Sequence, residues 1–338
     1  MTPRSTILLA ILGAVVLAAG WYFGPSTLED RRTTVAPGTL VFPGLAAKLQ
    51  AAERVEITNQ GRTMVIAHKD GRWGLADRGN YPVQQDKLRE LLTGLTELRI
   101  TEPRTSDPEQ LGRLGVDDPK GPTSTANLLR VLDGKGSVLA ELIVGHRRVR
   151  TQGNVPESIY IRRPGEAQSW LAEGRLPVDA DPQLWFDRDI TNIGKDRIAS
   201  VVSTRGDTTI RVVRENGAIV MKEPAEHPPL DDYRLEDLFR SLEMFTLSDV
   251  KPAAEFSGEK RGTAVLTTTD GVTITVDVFA VEKDIWVRLS ASGEGEAAKP
   301  AAEIQARVGP WAYQVGTWKE RSFIPAMDDL KAEEKKGG

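Results

Sequence analysis

Apolar positions fall into three regimes along the chain. Residues 7–23 (ILLAILGAVVLAAGWYF) form one unbroken apolar run, and no later stretch is long and apolar enough to span a bilayer. As a helix rising ~1.5 Å per residue the run covers about 26 Å, near the short limit for a membrane crossing. Arg4 precedes it, and Glu29, Asp30, Arg31 and Arg32 follow with no net positive charge. The positive-inside rule then leaves the N-terminus in the cytoplasm and exports the remainder. Leu17-Ala18-Ala19-Gly20 is the small-residue cluster that a cleaved signal peptide would use. Trp21, Tyr22 and Phe23 follow directly, and aromatics there suit a membrane-interface belt better than a cleavage site. The expectation is a cell inner-membrane protein with one N-terminal transmembrane helix: stub 1–6, anchor 7–23, and a periplasmic C-terminal ectodomain that meets the bilayer only through its anchor.

The second regime is alternation with period two, broken by turn residues, and it occurs twice. Val55-Glu56-Ile57-Thr58 runs into a turn at Asn59-Gln60-Gly61, a strand over 63–69, a turn at Asp70-Gly71, and Trp73-Gly74-Leu75. Val201-Val202-Ser203-Thr204 runs into Arg205-Gly206-Asp207, a strand over 208–214, a turn at Glu215-Asn216-Gly217, and Ile219-Val220-Met221. Asp-Gly and Asn-Gly between β-rich runs mark hairpins, because they accept the positive φ of tight turns.

The third regime has helical spacing. Leu88, Leu91, Leu92, Leu95 and Leu98 line one helix face, and Leu235, Leu238, Phe239, Leu242 and Phe245 repeat the spacing. Leu92 and Phe239 occupy the same place on their stripes. Asp133-Gly134 before a strand over 138–144 matches Asp270-Gly271 before a strand over 272–279. Tyr160-Ile161-Arg162 matches Trp286-Val287-Arg288, and Trp170-Leu171 matches Trp311-Ala312-Tyr313. Internal repetition of this kind sets the architecture. The fold class is α+β: after the transmembrane helix come two repeated α+β units of antiparallel hairpins plus an amphipathic helix. The boundaries are a linker at 24–41, units at 42–192 and 193–328, and a charged flexible tail at 329–338.

Several short motifs carry a resemblance. They are Phe42-Pro43-Gly44-Leu45, Asp70-Gly71-Arg72-Trp73, Leu114-Gly115-Val116-Asp117-Asp118-Pro119 and Ile143-Val144-Gly145, together with the N-terminal anchor. With them the chain resembles, over nearly the whole ectodomain, the family catalogued as domain of unknown function 4340. The resemblance implies membrane-anchored envelope proteins that accompany ABC-2-type permease and ATPase subunits and auxiliary membrane proteins of the gliding-motility-associated kind. It brings no catalytic residues. A polar loop, HRRVRTQGNVPES, interrupts the pattern after Gly145.

Composition narrows the chemistry. The 338 residues contain no cysteine, which removes disulfides, thiolate metal sites and a cysteine nucleophile. His68, His146 and His227 lie too far apart for a short metal-ligand motif. The formal charge of −4 gives no basic excess for nucleic acid. No phosphate loop, dinucleotide fingerprint or nucleophile elbow occurs. Ser257-Gly258-Glu259-Lys260 fits a Ser-x-x-Lys pattern without its companion motifs and reads as a turn. Asp179-Ala180-Asp181 and Asp231-Asp232 supply too few oxygens for calcium, and the second pair suits a helix start. No cofactor or metal is expected.

Two features remain as binding candidates. His146, Arg147, Arg148 and Arg150 form a compact basic patch able to dock an anion or an acidic partner, against the plainer reading of a solvated loop. Several tryptophans hold repeat-equivalent places, so the set reads as core, which leaves Trp318, beside Lys319-Glu320-Arg321, as the exposed aromatic contact. The expected function is a non-catalytic accessory subunit of an ABC-type transporter or envelope-assembly complex, acting through protein contacts. The alternatives are a stand-alone envelope polysaccharide- or lipid-binding protein and, third, a carboxylate hydrolase. Sequencing the N-terminus of the mature protein tests the anchor: the expected start precedes residue 7, and a start at Gly20 or beyond rejects an uncleaved anchor.

Overall fold

The computed structural model describes residues 36–148, 156–188, 190–243 and 245–332. The stub, the anchor with Trp21, Tyr22 and Phe23, most of the linker, Arg150 and the end of the tail lie outside the described residues. Among the described residues no helix is long and apolar enough to cross a membrane.

The first unit opens with α1 (Leu45–Lys48) and a 3-10 turn (Leu49–Ala51). It continues through β1 (Ala52–Asn59), β2 (Arg62–Lys69), β3 (Arg72–Leu75), a turn (Ala76–Arg78) and β4 (Tyr81–Pro82). Then come α2 (Gln85–Glu97), β5 (Arg99–Pro103), α3 (Pro108–Leu114), β6 (Asn127–Asp133), β7 (Val138–Arg148), β8 (Ser158–Arg162) and β9 (Ser169–Glu173). The second unit opens with a 3-10 turn (Lys195–Arg197), then β10 (Ile198–Arg205), β11 (Thr208–Glu215), β12 (Ala218–Glu223), α4 (Asp232–Phe239) and β13 (Asp249–Pro252). It ends with β14 (Glu259–Thr268), β15 (Thr273–Val281), β16 (Asp284–Ser292), α5 (Ala298–Val308), β17 (Trp311–Val315), α6 (Lys319–Phe323) and α7 (Met327–Leu330). The fold is α+β, mostly strand, with two antiparallel sheets and few helices.

The sheets run β4-β3-β2-β1-β6-β7-β8-β9-β5 and β12-β11-β10-β14-β15-β16-β17-β13. Matched in chain order, the two orders are the same, except that the second sheet lacks a counterpart of β4. The likeness reaches single residues. A bulge falls between Ala52 and Arg54 on β1 and between Ile198 and Ser200 on β10. An isolated bridge joins Val83 to Phe186 just before α2, and Leu230 to Lys331 just before α4.

The turns explain the hairpins. Gln60-Gly61 (φ 49° and 74°), Asp70-Gly71 (52° and 73°) and Asn216-Gly217 (50° and 83°) each hold two successive positive φ values. That is the two-residue turn whose twist matches flanking strands. At Asp133-Gly134 the reading differs: the positive φ sits at Gly136, while Asp133 caps the turn through the Lys135 and Ser137 amides.

Two of the motifs that carry the resemblance prove to be packing devices. Gly115 (φ 65°) ends α3, and Arg162 donates to the carbonyls of Val116 (2.7 Å) and Asp117 (3.1 Å), pinning this loop to β8. A Cβ on Gly145 would lie 2.3 Å from the Leu114 carbonyl oxygen, so β7 needs glycine there.

Other differences from the sequence reading follow from local bonds. Chain read as linker is docked: Gly38 and Val41 donate to the carbonyls of Ile100 (2.7 Å) and Leu98 (2.8 Å). The start of the tail is docked as well, since Leu330 is buried and Lys331 bridges Leu230. Helix α4 stops at Phe239, short of Leu242 and Phe245, yet both remain buried. Ser241 accounts for the stop. Its hydroxyl donates to the Leu238 carbonyl (2.8 Å), offering the backbone an alternative to a further helical turn.

The units join where the β4 end of one sheet meets β13 and β17 of the other. Arg78 Nε donates to Asp249 Oδ1 at 2.6 Å. The Tyr81 ring lies edge-on to Trp311, Phe186 and Tyr313, with centroids 5.0, 5.7 and 6.1 Å away. Burial pushes the Tyr81 and Tyr313 hydroxyls well above the ordinary tyrosine range. Gly79 (φ 65°) lies so close to Pro252 that a Cβ would sit 2.5 Å from its ring. One continuous apolar core runs through both units.

Leu92 and Phe239 differ in depth: Phe239 is fully buried and Leu92 half-buried. The change Phe239→Asp is therefore expected to cost about 4 kcal/mol or more, and Leu92→Asp about 1–2 kcal/mol. Thermal melts of the two variants check this, and equal losses would reject the difference in burial.

Candidate docking groove and the Trp318 face

The shared register allows the two copies to be compared position by position, and they diverge along one helix face. In the second unit this face is tied down by charge. Lys195, first residue of the 3-10 turn before β10, pairs with Glu236 on α4, and Glu236 also pairs with Arg240 (3.3 Å). The Glu243 carboxylate accepts from the Lys195 amide (2.5 Å). Arg214, near the end of β11, stacks over Phe239 at 5.1 Å. Hydrogen bonding from Lys195, with Arg240 nearby, holds the Glu236 carboxyl below its ordinary range.

In the first unit the same positions are mostly uncharged. Leu49 stands for Lys195, Arg89 for Glu236, Thr93 for Arg240, Thr96 for Glu243, His68 for Arg214 and Leu92 for Phe239. Here the face opens into a groove of about 480 Å³, with Leu49, Trp73, Leu88 and Leu92 as its apolar lining. Gln50, Gln85, Arg89, Thr93 and Thr96 supply its polar rim. Leu49, Trp73 and Leu92 are each half-buried. His68 tilts against Trp73 (5.2 Å) and bonds Glu53 (3.1 Å), so the indole has a fixed wall on that side. Reading either helix alone misses this site, since both stripes have the same spacing. The signal that finds it is the leucine at a place where the other copy has lysine.

The basic patch is placed differently from the sequence reading. His146, Arg147 and Arg148 lie on β7 and not in a loop. His146 Nε2 bonds Thr125 Oγ1 (2.9 Å) against the Gly115 turn, and Arg147 pairs with Glu157 (2.7 Å). Arg147 and Arg148 are neighbours on an extended strand, which sends them to opposite faces. The structure does not gather these three into one anion-binding cluster. Among the described residues no three His, Asp or Glu side chains form a metal-binding group.

Trp318 is 59% exposed, while Trp170, Trp185 and Trp286 are buried. Its neighbour Lys319 is 2% exposed. The Lys319 ammonium donates to the Ser241 carbonyl (2.5 Å) and lies 4.8 Å from the Trp318 ring, 5.5 Å from Phe323 and 5.6 Å from Phe245. Burial pushes this amine down to about 8, and Glu243 partly offsets the fall. Sequence gave no sign of it, because the enclosing groups come from the α4 end and from Phe323.

The lowered value fixes a sign. The unfolded amine keeps its proton up to about 10.5, while the folded one releases it near 8, so between these values the unfolded chain binds more protons. Stability from this group therefore rises with pH across that window. Relative to Lys319→Met, the wild type is expected to gain about 2–3 kcal/mol between pH 8 and 10.5. Denaturant titrations at several pH values check this, and a constant gap would reject it.

A family model described as a domain of unknown function (DUF4340) matches residues 73–261. The matched stretch takes in the Trp73 floor of the groove, α2, the Gly115 and Gly145 packing motifs, α4, and Arg78, Tyr81, Asp249 and Pro252 of the junction. No curated protein and no solved structure matches the chain. By this match over more than half its length, the chain belongs to the domain of unknown function 4340 family.

Proposed function

We propose that this protein is a non-catalytic, membrane-anchored accessory subunit, with its folded units in the periplasm, that serves an ABC-type transporter or envelope-assembly complex by holding a partner protein. The observation that carries the reading is the groove between α1 and α2, open and apolar where the other copy is closed by ion pairs. Apolar side chains left half-exposed along a helix face are what an amphipathic helix of a partner covers. The trough is open to solvent. A lone acyl chain would keep much of its surface in water there, whereas a helix would cover the floor and meet the glutamines and threonines of the rim. The apolar run at 7–23 supports the membrane placement, and the transporter association implied by the family resemblance supports the kind of complex.

The test is co-purification from membranes solubilised in detergent. The full chain is expected to bring down permease and ATPase subunits. Leu49→Lys, which imitates the closed copy, and Leu92→Phe, which fills the groove, are each expected to cut that recovery at least fivefold while leaving expression and melting temperature close to wild type. Full recovery with both variants would reject the groove as the docking site.

A further inference from the structure

The face around Trp318 is separate from the groove and is built differently. Trp318 lies between β17 and α6, within the stretch 316–330 that links β17 to the Lys331 bridge, which is longer than the stretch 174–185 linking β9 to the Phe186 bridge. Its indole is held from two sides. A Cβ on Gly316 would lie 2.5 Å from the indole nitrogen, so the ring edge rests across a residue that has no side chain. The Lys319 ammonium lies over the ring at 4.8 Å, and because Lys319 is buried it covers the inner face. The outer face is left to solvent in a set orientation.

Two clefts flank the ring, of about 260 and 250 Å³, and they share Asp237, Trp318 and Ser322. Arg234, Arg321 and Asp329 edge the first cleft, and Arg240 and Glu243 edge the second. The charges are balanced. Arg240 pairs with Glu236 (3.3 Å), Arg321 with Asp329 (3.7 Å) and Arg234 with Asp231 (3.8 Å). Such a face has no surplus charge to select a phosphate or an ammonium ligand. It offers carboxylate acceptors and guanidinium donors around an aromatic plane. Nor does it match a protein hot spot, where a central aromatic sits in a ring of contacts that exclude water.

We propose that the Trp318 face is a saccharide-binding subsite, with one pyranose stacked on the outer face of the indole and its hydroxyls bonded to Asp237 and Ser322. A pyranose has an apolar C–H face for the ring and hydroxyls around its rim for carboxylate and hydroxyl partners. Each cleft is smaller than pockets that take drug-sized ligands, so each fits one ring-sized unit. A cleft on either side of one indole fits a chain that continues past it.

The test uses the full chain in a detergent without a sugar headgroup. Cello-, malto- and chito-hexaose are titrated, with calorimetry for affinity and saturation-transfer NMR for contact. At least one is expected to bind saturably, with transfer to its ring C–H protons. Trp318→Ala is expected to weaken that binding at least tenfold with little change in melting temperature, since the indole is mostly exposed. Gly316→Val, which displaces the ring edge, is expected to weaken it as well. Leu49→Lys is expected to leave it intact, which separates this subsite from the docking groove. No saturable binding by any of the three sugars, or binding indifferent to Trp318→Ala, would overturn the proposal. So would a protein partner lost with Trp318→Ala in the absence of sugar binding.

Discussion

Open antiparallel sheets have unpaired edges, and the disposal of four such edges organises this chain. An edge strand offers a row of unmet amides and carbonyls that will pair with any extended segment. Here the β5 edge is met by the chain itself: Gly38 and Val41 donate to it, and the Ile100 amide donates back to Thr39 (2.9 Å). The β4 end of the same sheet is carried into the second unit, where Arg78, Gly79 and Tyr81 close on Asp249, Pro252 and Trp311. That leaves β12, which ends in Lys222 and Glu223 and is followed by Pro224. Charge and proline on an edge oppose further pairing. Two units in line, with one end capped by backbone and the other by side chains, therefore form a closed set.

Duplication separates what the fold requires from what it tolerates. Positions that keep their backbone geometry or their apolar character in both copies are structural: the tight turns, the bulges at Glu53 and Ala199, the inner leucines of α2 and α4, and the bridges at Val83 and Leu230. Helix α2 is held at Lys87, which donates to the Leu184 carbonyl (2.9 Å), and α4 is held alike at Arg234. Positions where the copies diverge are free of that demand. Leucine against lysine at the start of each unit is such a place. An ion-paired lysine in one copy shows that the fold does not need an apolar group there, so Leu49 of the other copy calls for a reason outside the fold.

Much of the architecture was legible because its causes are local. A positive φ at Asp70-Gly71 or Asn216-Gly217 is a property of two residues, and the apolar spacing of Leu88, Leu91, Leu92 and Leu95, or of Leu235, Leu238 and Phe239, is a property of one helix. The depth of each stripe was not legible, since it depends on side chains far away in sequence. Phe239 is sealed by Arg214 and by the neighbourhood of Lys195, whereas Leu92 faces Leu49 and Trp73 across open space. The same limit hid Lys319. A Trp-Lys-Glu-Arg run reads as surface, and only the carbonyl of Ser241 and the rings of Phe245 and Phe323 draw its ammonium inside. The setting of the basic patch was hidden in the opposite direction: Arg147 and Arg148, adjacent in sequence, are parted by the alternation of an extended strand.

Lys319 also accounts for how an exposed indole can be rigid. Surface tryptophans ordinarily turn about two bonds, and any ligand must then bear the entropy of fixing them. Here the ring is fixed before a ligand arrives, by a glycine under its edge and an ammonium beneath its face. Keeping a cation in that position carries a cost, visible in the lowered affinity of the amine for its proton. A methionine of similar length would fill the space without that cost, and it would neither hold the Ser241 carbonyl nor attract the indole electrostatically. The buried charge is thus unfavourable to the fold on its own terms and favourable to the orientation of one ring. The group that this buried charge orients is an aromatic face turned toward solvent.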